Sequence, residues 1–168
     1  MTGKIFLVSA LIAGIGPTAF AQLSRFDKAF ITKAAQANNY EIQATQLAEN
    51  TSNNAAYRRY AEMVSEDQME ESGELESTVA DQNTTMRLPA GLSPAGEQRL
   101  QALKNARGNF DAIFRNQMIA THQAALNLYQ SYLGLGQSDA NPEIQDVARG
   151  MIPTLQKHLE EAMSLPPG

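Results

Sequence analysis

The chain holds two histidines, His122 in "MIATHQAALNLY" (118–129) and His158 in "LQKHLEEAM" (155–163), each set among helix-forming, mostly apolar neighbours. Imidazole nitrogen is a donor for divalent transition metals, and inward Glu and His from facing helices are how bundles build carboxylate-bridged metal sites. At about 100° per residue, Glu41 falls inside a stripe of Ala34, Ala37, Ala44 and Ala48. Gln68 and Glu71 fall inside a Val64–Leu75–Val79 stripe, and His158 lies on the edge of a Val147–Met151–Ala162 stripe. His122 shares a face with Asp111 and Met118. Buried ionisable groups are costly unless they are paired, hydrogen-bonded or metal-bound. These positions therefore define a candidate metal set of Glu41, His122 and His158, with Gln68, Glu71, Asp111 and Glu161 as nearby candidates.

The donor set limits the chemistry. Gln68 is neutral and a weak ligand for transition metals. "HLEEA" places Glu161 three residues after His158, the reverse of the Glu-x-x-His order of di-iron carboxylate bundles. The set is thin for two metals and adequate for one, with iron, manganese or zinc as the candidates. The competing expectation is that each histidine is a hydrogen-bonded core or boundary residue, and that the run "SEDQMEESGELE" (65–76) is mostly a solvated face.

Positioning these residues falls to four long helices. The first spans about Arg25–Glu49, with Ser24 as N-cap and Asp27 as its acidic partner in the first turn. "NTSNN" (50–54) is a turn, and the second helix spans about Ala55–Asp81. After the loop "RLPAGLSP", Ser93 caps a short helix with Pro94 at its first position, and Gly108 is expected to end it. The third long helix spans about Phe110–Leu133, with Asn109 as a candidate cap. The fourth starts at Pro142, ends near Met163 and should kink at Pro153. This is an all-α, ferritin-like four-helix bundle, with a long crossover containing a short helix between the second and third long helices. The crossover makes those two helices parallel. A rise of 1.5 Å per residue then puts Gln68 about level with Ala34, Glu41 roughly 10 Å further along the axis, and His158 within about two turns of His122.

Composition bounds the setting. Lys4, an apolar run from Ile5 to Ile15 and Ala19-Phe20-Ala21 read as a secretory signal peptide over 1–21, cut after Ala21. The apolar run is about 11 residues, against the ~20 needed to cross a bilayer. Residues 22–168 are then one exported domain with no transmembrane segment, and the periplasm of a Gram-negative bacterium is the expected compartment. The net charge of −5 argues against nucleic acid as a partner and leaves a protein partner or a homo-oligomer. Cysteine is absent, so thiolate ligation and thiol catalysis are excluded.

Taken together, "FITKAAQANNYEIQATQLAEN" (30–50), "YAEMVSEDQMEESGEL" (60–75), "LPAGLS" (88–93), "NFDAIFRNQMIATHQAAL" (109–126) and "IPTLQKHLEEA" (152–162) resemble the DUF4142 family. Its function is unknown, and it is usually grouped with the ferritin-like bundles. The resemblance covers nearly all of the exported chain. It implies a Glu on the first helix, here Glu41; Phe-Asp then His on the third, here Phe110-Asp111 and His122; and a His on the fourth, here His158. The family's usual Asp-His on the second helix reads Asp67-Gln68 here, so one candidate ligand is replaced.

With no nucleophile–base pair and no phosphate-binding loop, the expected function is a non-catalytic helical bundle of the cell envelope, acting in stress protection or as an interaction module. The alternative is a metal-binding or redox bundle built on Glu41, His122 and His158. A small-ligand carrier has no specific residue behind it.

Overall fold

A computed structural model describes residues 22–136 and 139–167; the expected signal peptide, 1–21, lies outside the described residues. Five helices follow in order: α1 (Arg25–Thr51), α2 (Ala55–Ala80), α3 (Pro94–Lys104), α4 (Phe110–Leu133) and α5 (Pro142–Ser164), with no strand among the described residues. None of these helices is long and apolar enough to cross a membrane.

Local chemistry explains most of the boundaries. Ser24 Oγ accepts from the backbone N–H of Phe26 and Asp27, while Asp27 accepts from the Ser24 N–H at 2.7 Å, closing a capping box on α1. Asn54 caps α2, Ser93 with Pro94 opens α3, and Asn141 with Pro142 opens α5. Two expectations fail. Asn109 precedes α4 with φ −128° and ψ 24°, and its side chain makes no capping bond. Helix α3 ends at Lys104, ahead of Gly108, whose φ of +79° instead turns the chain toward α4. Helix α5 runs through Pro153 as one element. Both Pro153 and Arg149, whose carbonyl loses its usual donor there, are exposed, so solvent can serve that carbonyl.

Side-chain pairs fix the helix directions. Tyr132 on α4 bonds to Asp27 on α1, and Tyr40 on α1 to Gln117 on α4, so these helices are antiparallel. Tyr57 on α2 bonds to the Pro166 carbonyl beyond α5, and Gln82 just after α2 bonds to Glu143, so α2 and α5 are antiparallel too. Helices α2 and α4, each antiparallel to α1, therefore run the same way. The chain between them crosses the α1–α4 face, where α3 packs on both helices. Asn39 donates to the Pro89 carbonyl at 2.7 Å, and the Arg99 guanidinium lies over the Tyr40 ring at 4.2 Å while donating to Thr121 at 2.8 Å.

The buried apolar side chains form two clusters. One includes Phe30, Ile31, Leu75, Val79, Tyr129, Tyr132, Ile144 and Leu155; the other includes Tyr40, Tyr57, Val64, Leu103, Phe114 and Met118. The boundary between them holds the polar residues on which any chemistry depends.

Candidate functional site

Glu41, Gln68, His122 and His158 meet at that boundary, one from each long helix, and are at most 1% exposed. The two imidazole rings lie 5.2 Å apart, centroid to centroid. His122 Nδ1 is 3.6 Å from Glu41 Oε2, and Gln68 Nε2 donates to that oxygen at 2.7 Å. Sequence spacing places Glu41 roughly 10 Å beyond the level of Gln68. The structure corrects this: α1 runs on to Thr51, two residues past the expected end, which is about 3 Å of the difference. Asn38 pairs with Ser72, and 41 comes opposite 68.

Each imidazole is oriented through Nε2. His158 Nε2 donates to Asp67 Oδ2 at 2.8 Å, and His122 Nε2 lies 2.9 Å from the Tyr60 hydroxyl. That hydroxyl is also 3.3 Å from the His158 carbonyl, an acceptor only. When Tyr60 gives its single hydrogen to the carbonyl, His122 Nε2–H donates to Tyr60, and Nδ1 carries a lone pair. In both histidines Nδ1 is buried with no hydrogen-bond partner among the described residues, as are Gln68 Oε1 and both carboxyl oxygens of Glu71.

Burial governs protonation here. It pushes His122 down to about 3, reinforced by neighbouring His158, and pushes His158 down against the opposing effect of Asp67. Burial also holds Glu41 well above the carboxylate range, with the Glu71 charge adding to it. The 3.6 Å contact between His122 and Glu41 thus joins two neutral groups, because an ion pair would require both charged forms that burial disfavours. Neutral imidazoles with bare Nδ1 atoms are in the state that metal coordination requires.

The other candidates lie apart. Glu71 is buried but lines the groove between α2 and α5. Glu161, one turn beyond His158, is half-buried and lines a surface groove beside Tyr60. Asp111 sits at the start of α4, roughly 16 Å of helix from His122. Among the described residues, no three His, Asp or Glu side chains form a group already placed to hold a metal. The amide of Gln68 occupies the Glu41 oxygen nearest His122, so coordination would require that carboxyl to change partners. Tyr60, absent from the sequence-derived site, has a readable signal: it lies seven and eight residues before Asp67 and Gln68, on the same face of α2.

The fold has a relative of known structure: a crystal structure of a DUF305 fragment from Deinococcus radiodurans superposes with a TM-score of 0.71 at 18% identity. The match covers 84% of this chain and 95% of that one. A comparison with curated proteins gives no match. The family model described as "Domain of unknown function (DUF4142)" matches residues 15–165, and the chain belongs to that family.

Proposed function

We propose that the chain is an exported, non-enzymatic bundle of ferritin-like architecture in the envelope of a Gram-negative bacterium, holding one divalent transition-metal ion in its interior. The observation that carries this reading is the pair of imidazoles 5.2 Å apart, each oriented through Nε2 and each with a buried, unpartnered Nδ1. A carboxylate that fixes the far nitrogen of a histidine, as Asp67 does for His158, is the usual support of a metal-ligating imidazole. His122 and His158 would be the nitrogen ligands and Glu41 the oxygen ligand, a donor set that suits zinc, manganese or iron. The apolar run from Ile5 to Ile15 followed by Ala19-Phe20-Ala21 supports export, which N-terminal sequencing of periplasmic material tests: a start near Gln22 is expected.

The metal reading is tested by titrating chelator-treated protein with Zn²⁺ and Mn²⁺ in a calorimeter, followed by metal analysis after dialysis. One ion per chain, lost in His122→Ala and in His158→Ala, is expected. No uptake in the wild type would overturn it. The same side chains would then be a hydrogen-bonded layer in a bundle that acts through protein contacts or in stress protection.

A further inference from the structure

The groove between α2 and α5 is lined by Asp67, Glu70, Glu71 and Glu74 from α2 and by Gly150 and Thr154 from α5. Spacings of three and four residues bring the carboxyl groups to one helix face, where each like-charged pair four apart costs a few tenths of a kcal/mol. Lys157 lies 3.9 Å from Asp67 Oδ2 and is more than half exposed.

Glu71 distinguishes this face from an ordinary solvated one. Its side chain is only 5% exposed, it borders the groove, and neither carboxyl oxygen has a donor among the described residues. A buried carboxyl with no partner is expensive to ionise. Burial first, then the charges of Asp67, Glu74 and Glu70, push it up to about 8. On the opposite wall, Gly150 sits inside a helix, where glycine is unfavourable by about 1 kcal/mol relative to alanine. A Cβ there would meet nothing within 4 Å, so the wall is open. The cavity of about 210 Å³ has room for an ion with several waters, each occupying about 30 Å³ in the liquid.

We propose that this groove is a second cation site, taking a hydrated hard divalent cation such as Ca²⁺ or Mg²⁺ on the oxygens of Glu71, Asp67, Glu70 and Glu74. Such ions take carboxylate and water oxygens in flexible numbers. Glu71 is the inner anchor. Glu70 and Glu74 are exposed and swing inward to complete the shell, consistent with the lack of a preformed three-carboxylate group among the described residues. The site differs from the inner one in its ligand chemistry, because Ca²⁺ and Mg²⁺ prefer oxygen to imidazole; Asp67, bonded to His158 Nε2, borders both.

The test is a calorimetric titration of the chelator-treated protein with CaCl₂ at low ionic strength, with the melting temperature followed in parallel. One Ca²⁺ per chain is expected, with a Kd on the order of 10⁻⁴–10⁻³ M. Glu71→Gln should weaken it at least ~10-fold, since one of the few charged ligands is lost. Gly150→Lys should abolish binding by placing an ammonium in the groove while leaving every carboxylate in place. His122→Ala should leave calcium affinity unchanged, so a failure of zinc binding at the inner site is read separately. No calcium binding by the wild type would overturn the proposal. Equal affinity in the wild type, Glu71→Gln and Gly150→Lys would do so as well, since it would mean only diffuse attraction to an acidic surface.

Discussion

Gln68 Nε2 donates to Glu41 Oε2 across the α1–α2 interface at 2.7 Å, while its own Oε1 is buried without a donor. Gln68 is therefore half-satisfied, and it occupies the carboxyl oxygen closest to His122. Gln68→His replaces a weak carboxamide donor with an imidazole and frees that oxygen. We expect Zn²⁺ affinity to rise at least ~10-fold, because imidazole is much the better ligand. Calorimetry on the variant and wild type measures it, and equal affinities would remove 68 from the metal site.

Asp67 acts on the inner site through His158. Asp67→Ala leaves His158 Nε2 without its acceptor, so the ring loses its fixed orientation and tautomer. Zn²⁺ affinity should fall about 10–100-fold, the usual effect of losing such support. The His158 ring resonances in NMR should also report a changed tautomer population, which a purely packing role for Asp67 would not produce.

At the other end of the bundle, Asp27 is 1% exposed and accepts from the Ser24 N–H, the Asn141 N–H at 2.8 Å and the Tyr132 hydroxyl. It joins the start of α1 to the end of α4 and the start of α5. Asp27→Ala strands two buried donors from α4 and α5, and we expect a loss of about 3 kcal/mol. That corresponds to a fall of roughly 10 °C in Tm for a domain of this size. Metal affinity should not change; a Tm within about 2 °C of wild type would contradict the tie.

Gly73 lies inside α2, and a Cβ there would meet nothing within 4 Å. Gly73→Ala should stabilise the protein by about 0.5–1 kcal/mol, through lower entropy in the unfolded chain and better helix propensity. Urea denaturation checks it, with an unchanged m-value expected.

Protonation gives opposite pH signatures in metal-free protein. His122 is held below its ordinary value, so the unfolded chain gains protons that the folded chain refuses as pH falls below about 6.5. The stability of wild type relative to His122→Gln should therefore fall between pH 7 and pH 5. Glu71 is raised to about 8, by burial first and then by the charges of Asp67, Glu74 and Glu70. Its folded form keeps a proton that the unfolded form loses above about 4.5, so that stabilisation declines as pH rises toward 8. The Tm of Glu71→Gln relative to wild type should accordingly climb from pH 5 to pH 8. Parallel Tm curves for wild type and both variants would contradict these assignments.

Much of this was legible in the chain itself. The 3.6-residue period marks the four long helices, and Ser24 with Asp27 and Ser93 with Pro94 announce the starts of α1 and of the short α3 through local hydrogen bonding and a fixed φ. The same period turns Glu41, Gln68, His122 and His158 inward, because a polar side chain on an apolar stripe has nowhere else to point. Which of them touch is another matter. The 41–68 pairing depended on the turn and the axial offset of α1 and α2, of which the two further residues of α1 supply only about 3 Å. The role of Asp67 depended on α2 packing antiparallel to α5, and that of Tyr60 on α2 reaching His122 of α4. Periodicity is a local property, carried by side chains a few residues apart on one helix. Hydrogen bonds spanning 62 and 91 residues, such as those of Tyr60 with His122 and His158 with Asp67, exist only once whole helices have settled their neighbours, direction and axial offset, which packing of the entire core decides.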